Sequence, residues 1–173
     1  MNYMERVNQL KNNRLVFTKL LSGINREDAV WKPDPDRWSV LEIICHMIDI
    51  EIVDFRYDLD LILFHPEDPW PHFDEMEWVT SRKYNQRDFD QMVEQFSLER
   101  KKTIKWLIEL DDPDLTALHS GNEFKGEKKS AGDILISWLA HDFFHIRQLV
   151  LLSYDILNKT SEPYSSSYSG FYK

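Results

Sequence analysis

Proline divides this chain into four long segments that could each form a helix. Its seven prolines fall in three breaks, around residues 33–35, 66–71 and 113, with the last at residue 163. Proline lacks a backbone N–H and clashes with the preceding helical turn, so helix interiors exclude it. Between the breaks, apolar residues recur every three or four positions, which is the period of an amphipathic helix. The pattern therefore predicts helices over residues 3–22, 40–64, 86–110 and 131–157.

Capping signals support three of these helix starts. Each consists of a side chain that can accept one of the first free backbone N–H groups, followed three residues later by an acid. The three pairs are Ser39 and Glu42, Asn85 and Asp88, and Ser130 and Asp133. Four helices of similar length, without strand alternation or an internal repeat, predict an all-α four-helix bundle. The long connections between them, about 17–21 residues against the ~2–8 usual in bundles, suggest functional loops.

Length, composition and charge describe a single acidic globular domain. The chain has 173 residues, of which 42% are hydrophobic and 29% charged, enough for a core without disulfide bonds. We expect one domain over residues 1–173, with a core over about 3–157 and a loose tail over 158–173. A net charge of −9 opposes binding to nucleic acids and anionic membranes, and the run "ERKKTIK" is interpreted as a mixed-charge helix face.

Two further features indicate a cytoplasmic protein. Cys45 is the single cysteine, which rules out an internal disulfide bond and fits a reducing compartment. The N-terminal residues carry charges and lack the apolar run of a signal peptide, and no apolar run is long enough to cross a membrane. We therefore expect a cytoplasmic location and no membrane partner.

Two of the predicted helices carry histidines on their apolar stripes. His141 and His145 lie about 40° apart on the stripe of the fourth helix, and His46 lies on the stripe of the second. A single buried histidine is usually a neutral, hydrogen-bonded core residue. An i, i+4 pair with a third histidine on a facing helix could instead bind one divalent metal ion and leave a coordination position open. The spacing leaves both interpretations open.

The acidic residues near these histidines are predicted to support the imidazoles or to have structural roles. Glu42 and Asp49 lie one helical turn to either side of His46, so each could hydrogen-bond an imidazole N–H, with a capping or surface role as the alternative. Asp142 points about 100° away from the histidine before it and is interpreted as a solvated or inter-helix charge. Glu51 lies off the His46 face and is expected to be structural or to contact a loop.

The second connection, residues 65–85, is the best candidate for a substrate-binding loop. It is long and rich in aromatic and acidic residues, so we expect it to form part of a pocket rim. The residues expected to contact a substrate there are Trp70, His72, Phe73 and Trp78. His65 and His119 also lie outside the predicted helices and are expected to be solvated.

The order of these motifs resembles a known family. The segment "WSVLEIICHMIDIE", followed far downstream by "SAGDILISWLAHDFFHIRQL", is similar to the DinB-like, or YfiT-like, four-helix metalloproteins. The matching positions are Trp38, Ser39, His46, Glu51, His141, His145 and Gln148. The resemblance implies an up-down-down-up bundle in which the three histidines hold one divalent metal ion per chain, commonly zinc or nickel. It also implies a homodimer, which the abundance of large aromatic side chains supports.

The resemblance further implies a link to bacillithiol S-transferases and mycothiol-dependent maleylpyruvate isomerases. The leading hypothesis is therefore a metal-dependent enzyme that transfers a low-molecular-weight thiol to small electrophilic molecules. The alternatives are a metal-dependent hydrolase of a small amide or ester, a non-catalytic metal-binding protein related to stress, and a bundle with hydrogen-bonded core histidines. Asp142 stands where an H-E-x-x-H protease has its glutamate, which argues against proteolysis.

Overall fold

The computed structural model describes residues 1–121 and 127–170, and the regular elements in these ranges are all helical. The helices are α1 (Tyr3–Leu21), α2 (Arg26–Val30), α3 (Val40–Ile50), α4 (Arg56–Phe64), α5 (Glu75–Ser81), α6 (Phe89–Glu109) and α7 (Ala131–Thr160). Helices α1, α3 with α4, α6 and α7 are the four long segments of the bundle. Their positions confirm the four helices predicted from proline spacing to within about three residues at each end.

The second long segment contains a wide turn that its periodicity does not reveal. Helix α3 begins at the predicted capping box, in which the Ser39 side chain accepts the Glu42 N–H at 3.1 Å and Glu42 accepts the Ser39 N–H at 2.9 Å. A π-helical turn over Glu51–Phe55 then joins α3 to α4. Such turns are rare, and they occur often at functional sites.

Helices α6 and α7 begin at residues with clear capping geometry. Asp88 caps α6 by accepting the Gln91 N–H at 2.9 Å, so α6 starts three residues later than predicted. The prediction of Asn85 as the cap is wrong, because its side chain accepts the Ser39 hydroxyl at 2.6 Å instead. The predicted capping box of Ser130 and Asp133 is confirmed at the start of α7.

Two apolar clusters form the core, one toward each end of α7. The first packs the N-terminal half of α1 and the α4 segment against Trp138 and Leu139. The second packs Phe17 and most of α3 against Leu149 and Leu152. Between the two clusters, α7 carries polar side chains on its inner face, and this polar layer holds the histidines.

Part of the C-terminal tail is more ordered than expected. Residues 158–160, expected in the loose tail, belong to α7, and Ser166 hydrogen-bonds with Tyr154 and Asn158. None of the helices in residues 1–121 and 127–170 combines the length and apolar content that a bilayer crossing requires.

Candidate metal centre

The three histidines of the apolar stripes meet inside the bundle. The Nε2 atom of His141 lies 3.2 Å from Nε2 of His46 and 3.1 Å from Nε2 of His145. One ligand atom from each of the three residues lies within 4.8 Å of the others. Two metal–nitrogen bonds of about 2.0–2.1 Å at a tetrahedral angle place their nitrogens ~3.3 Å apart, so the two separations from His141 fit one shared ion.

Gln148 fixes the orientation of one imidazole. Its carboxamide oxygen accepts a hydrogen bond from Nδ1 of His145 at 2.7 Å, so that nitrogen carries the proton. The Nε2 atom of the same ring must then present its lone pair to the other two histidines. A hydrogen-bonded Nδ1–H of this kind is the usual support of a metal-binding histidine.

The three facing nitrogens cannot all be satisfied by hydrogen bonds. If His46 donates from Nε2 to His141, the lone pairs of His141 and His145 face each other at 3.1 Å. If His141 donates to His145 instead, its single Nε2 hydrogen cannot also satisfy the Nε2 lone pair of His46 at 3.2 Å. A cation that accepts three lone pairs removes this conflict, so the donor set fits a metal ion better than a hydrogen-bonded cluster.

Burial keeps these imidazoles in the form that binds metals. Loss of solvation is the largest cause in each case, and it lowers the pKa of His46 to about 3, of His141 to about 2 and of His145 to about 4. For His46 and His141, the neighbouring imidazoles lower the pKa further. All three side chains are therefore neutral near pH 7, when each can offer a nitrogen lone pair.

A cavity of about 400 Å³ opens beside the three histidines. Trp38 forms one wall: its ring is parallel to that of His145, with centroids 6.2 Å apart, and lies 4.8 Å from that of His46. Phe144 contacts His145 edge to face, and Gln148 also lines the cavity. The other lining residues are Asp36, Arg37, Ile43, Glu75, Met76 and Leu152. An ion held by three histidines would thus have one side open to a small molecule.

The four predicted substrate contacts in residues 65–85 lie outside the lining of this cavity. The cavity receives Glu75 and Met76 of α5 from this connection, whereas none of the four predicted residues lines it. Three of them, Trp70, His72 and Phe73, line a separate cavity of about 350 Å³, and Trp78 packs against the core and the Phe73 ring. Trp70 belongs to the apolar core and Trp78 packs against it, whereas Glu75 and Met76 in the first turn of α5 line the cavity beside the histidines.

The predicted supporting carboxylates are also corrected. Besides capping α3, Glu42 pairs with Lys32 at 3.1 Å. Asp49 accepts the hydroxyl of Tyr84 and pairs with Arg82 at 2.8 Å. The described hydrogen bonds and ion pairs of these two carboxylates thus go to other partners and not to an imidazole.

Two polar residues expected near solvent are buried. The side chain of His119 is covered and hydrogen-bonds the Asp68 carbonyl oxygen at 2.8 Å, so the expectation of a solvated loop histidine is wrong. Asp142 is fully buried and forms an inter-helix ion pair with Arg100, which confirms that alternative over the solvated one. Arg100 lies on the apolar stripe of α6, between Phe96 and Leu107. A charged residue on such a stripe can indicate a buried ion pair, a signal that sequence reasoning missed.

Fold and site together define a helical-bundle protein whose buried three-histidine cluster fits a metal ion. The chain belongs to the DinB superfamily, whose sequence model matches residues 9–149. Its fold is similar to that of YfiT from Bacillus subtilis, a protein described as a probable metal-dependent hydrolase with an unusual four-helix bundle topology. The TM-score is 0.77 at 14% sequence identity, over 89% of this chain and 87% of that chain. This likeness confirms the predicted DinB-like four-helix bundle, and the comparison with curated proteins found no match.

Proposed function

We propose that this protein is a metal-dependent enzyme that acts on a small molecule bound beside His46, His141 and His145. The observation that carries the proposal is the meeting of three neutral Nε2 atoms, 3.1 and 3.2 Å apart, at an open cavity. A buried cluster closed on all sides would suit a structural ion. A cluster with free space on one side suits catalysis.

The residues around the cavity would bind and orient the substrate. Trp38 and Phe144 offer aromatic faces to an organic molecule. Gln148 holds the His145 ring so that its Nε2 lone pair points inward. A bound divalent ion would act there as a Lewis acid that favours loss of a proton from a thiol or a water molecule.

Within this class, the leading reaction is thiol-dependent S-transfer to a small electrophile. A thiol loses its proton readily beside a cation, so the reaction needs no separate base, and the aromatic walls suit an apolar electrophile. Hydrolysis of a small amide or ester is the second candidate. The lining residues Asp36 and Glu75 favour it, because a carboxylate near the open position could serve as the base that hydrolysis requires. The description of YfiT supports the same candidate.

Metal content of the purified protein tests the shared part of these proposals. We expect about one zinc or nickel ion per chain by elemental analysis, and a sharp loss of that ion in His46→Ala, His141→Ala and His145→Ala. His65→Ala is the matched control, since 59% of the His65 side chain is exposed. Equal metal content in all four variants would overturn the proposed site.

A parallel turnover screen distinguishes the reactions. The metal-loaded protein would be incubated with monochlorobimane and either cysteine, glutathione or bacillithiol, and separately with nitrophenyl esters and anilides. Thiol-dependent conjugation that is lost in His145→Ala supports S-transfer. Release of nitrophenol or nitroaniline without a thiol supports hydrolysis. Stoichiometric metal with no turnover in either arm would favour a non-catalytic metal-binding protein.

We also propose that two copies of the chain pair through the outer face of α7. Ile136, Phe143, Val150 and Leu157 follow one another at intervals of seven residues, and each is between 44% and 54% exposed. This spacing places them along one side of the helix, as in helix-pairing surfaces. Sedimentation should give about twice the 20.8 kDa chain mass, and Phe143→Glu with Val150→Glu should give the monomer. A parent protein that sediments as a monomer at micromolar concentration would contradict the pairing.

A further inference from the structure

A fully buried guanidinium lies in the polar layer of the bundle. Arg100 of α6 is 0% exposed, and its two terminal nitrogens donate to the two carboxylate oxygens of Asp142 at 2.7 and 2.8 Å. Its Nε atom donates to Glu51 at 2.8 and 2.9 Å. Asn13 of α1 adds a hydrogen bond of 2.9 Å to Asp142. Burial alone lowers the pKa of Arg100, but the two carboxylates outweigh it and raise that pKa.

The two carboxylates belong to the two segments that carry the histidines. Asp142 follows His141 directly and precedes His145 by three residues on α7. Glu51 lies five residues after His46 and begins the π-helical turn that continues α3. The backbones of α3 and α7 approach each other closely at few positions, and apart from the apolar cluster around Leu149 and Leu152 the two helices are joined through side chains of the polar layer. One guanidinium therefore connects the helices that supply all three candidate ligands.

The geometry of this connection limits helix rotation. A single hydrogen bond would allow α7 to turn about its axis, whereas the two parallel bonds to Asp142 resist that turn. With a Cα radius of ~2.3 Å and the reach of a histidine side chain, a rotation of about 10° moves an imidazole nitrogen by about 1 Å. Metal–ligand distances tolerate deviations of only ~0.2 Å. Small errors in helix rotation would thus separate the three nitrogens too far for one ion.

From these contacts, we infer that Arg100 is a positioning residue for the three-histidine site, acting through Asp142 on α7 and through Glu51 on α3. It holds the two helices in the relation that brings the Nε2 atoms together before an ion binds. This inference rests on the proposed metal site. Stability alone does not account for the cluster, because apolar replacements of buried ion pairs are often neutral or stabilising. With two carboxylates and one guanidinium, its formal charge is −1, so the cluster as a whole does not repel a cation.

The test separates positioning from folding by removing the whole charge cluster at once. The neutral variant combines Glu51→Gln, Arg100→Met and Asp142→Asn, so that no buried charge is left without a partner. Arg100→Lys is a second variant, which keeps the positive charge but loses the two parallel hydrogen bonds. Arg56→Met is the matched control, because Arg56 pairs with Glu99 of α6 at 3.8 Å and this pair includes neither carboxylate of the cluster and no candidate ligand.

Three quantities would be measured for each protein: apo stability by urea unfolding, Zn²⁺ affinity by chelator competition, and the visible spectrum of the Co²⁺-loaded form. We expect the neutral variant to fold but to bind Zn²⁺ about 10–100-fold more weakly, with an altered Co²⁺ spectrum. Arg100→Lys should lose at least about tenfold in affinity. The control should retain the affinity and the spectrum of the parent.

The outcomes are distinct. A folded neutral variant that binds Zn²⁺ as tightly as the parent overturns the inference and leaves the proposed function intact. If the neutral variant does not fold, Arg100→Lys decides: unchanged affinity in the folded Lys variant overturns the positioning role, and weakened affinity supports it. A parent protein that binds no metal overturns the proposed function, and the positioning role with it.

Discussion

The neutral state of the three histidines makes a specific prediction about acid stability in the metal-free protein. In the unfolded chain each imidazole takes up a proton as the pH falls below about 6.5. In the folded protein, the pKa values of His46, His141 and His145 are lowered to about 3, 2 and 4. Between these limits the unfolded state binds more protons than the folded state, so the free energy of unfolding must fall as the pH falls.

The size of this loss follows from the difference between the pKa values of the two states. Between about pH 7.5 and pH 5.0, each histidine that stays neutral only in the folded protein costs about 2 kcal/mol of stability. Three such groups together would cost about 6 kcal/mol, a large part of the ~5–15 kcal/mol of a typical domain. The stabilisation is complete above the unfolded pKa and is lost progressively below it.

Buried acids, of which Asp58 is one example, act in the opposite direction. Burial, together with Asp54, raises the pKa of Asp58 to about 9, so the folded state retains a proton there and gains stability as the pH falls. The free energy of unfolding of the whole protein therefore contains contributions that fall and contributions that rise as the pH falls. A difference between the parent and a single histidine variant isolates one histidine's contribution, because the contributions of the buried acids are common to both.

Urea unfolding in the presence of a chelator measures this difference. The parent and His141→Gln would be compared at pH 7.5 and pH 5.0, and His65→Gln, in which an exposed side chain changes, is the control. We expect the parent to lose about 2 kcal/mol more than His141→Gln over this interval and about as much as the control. If the parent and His141→Gln lose the same stability, the imidazole is not held neutral by burial and the reasoning fails.

Three further outcomes follow from the packing. Ser39→Ala removes the cap of α3 and should cost about 1 kcal/mol in urea unfolding, whereas the neighbouring exposed change Asp36→Ala should cost less. Phe96→Ala removes a fully buried ring that lies 5.2 Å from the Phe17 ring and should cost about 3–5 kcal/mol, and a value below about 1 kcal/mol would contradict the described core. Chelation of bound metal should leave the far-ultraviolet circular dichroism unchanged, because both apolar clusters exclude the histidines; a large loss of helix would contradict this independence.

The helices and the histidine face could be predicted from sequence because both depend on local rules. Proline positions and capping residues fix where helices begin and end, whatever the chain packs against. The 3.6-residue period then fixes which side chains share a face, so His141 and His145 had to lie together on the stripe of α7. That His46 meets them follows from the requirement that apolar stripes face the core of one bundle.

The path of the 65–85 connection could not be predicted because it depends on the finished core. Trp70 is buried against His119, and Trp78 contacts both apolar clusters, so these rings stabilise the loop and do not line the cavity beside the three histidines. An aromatic residue in a long connection is equally suited to packing and to binding. Only the surrounding helices determine which of the two occurs.

The buried cluster of Arg100, Glu51 and Asp142 could not be predicted from the sequence for a different reason. Arg100 occupies an interior position of the α6 stripe, yet a charged side chain is normally assigned to solvent because isolated burial is costly. Its partners Glu51 and Asp142 are 49 and 42 residues away in the chain. Local patterns contain no information about such distant partners. The π-helical turn at Glu51 escapes sequence reasoning for the same reason, since it lies at a tertiary contact.

The division of α7 into apolar ends and a polar middle explains how one helix serves both stability and chemistry. Trp138 and Leu139 belong to one apolar cluster, and Leu149 and Leu152 belong to the other. His141, Asp142 and His145 lie between them, where a continuous core would otherwise require leucine or isoleucine. Because burial at both ends offsets the cost of the polar layer, the layer need not be optimised for stability. Its side chains can then be arranged for binding: the imidazoles face the cavity, and Asp142 anchors the helix that carries two of them.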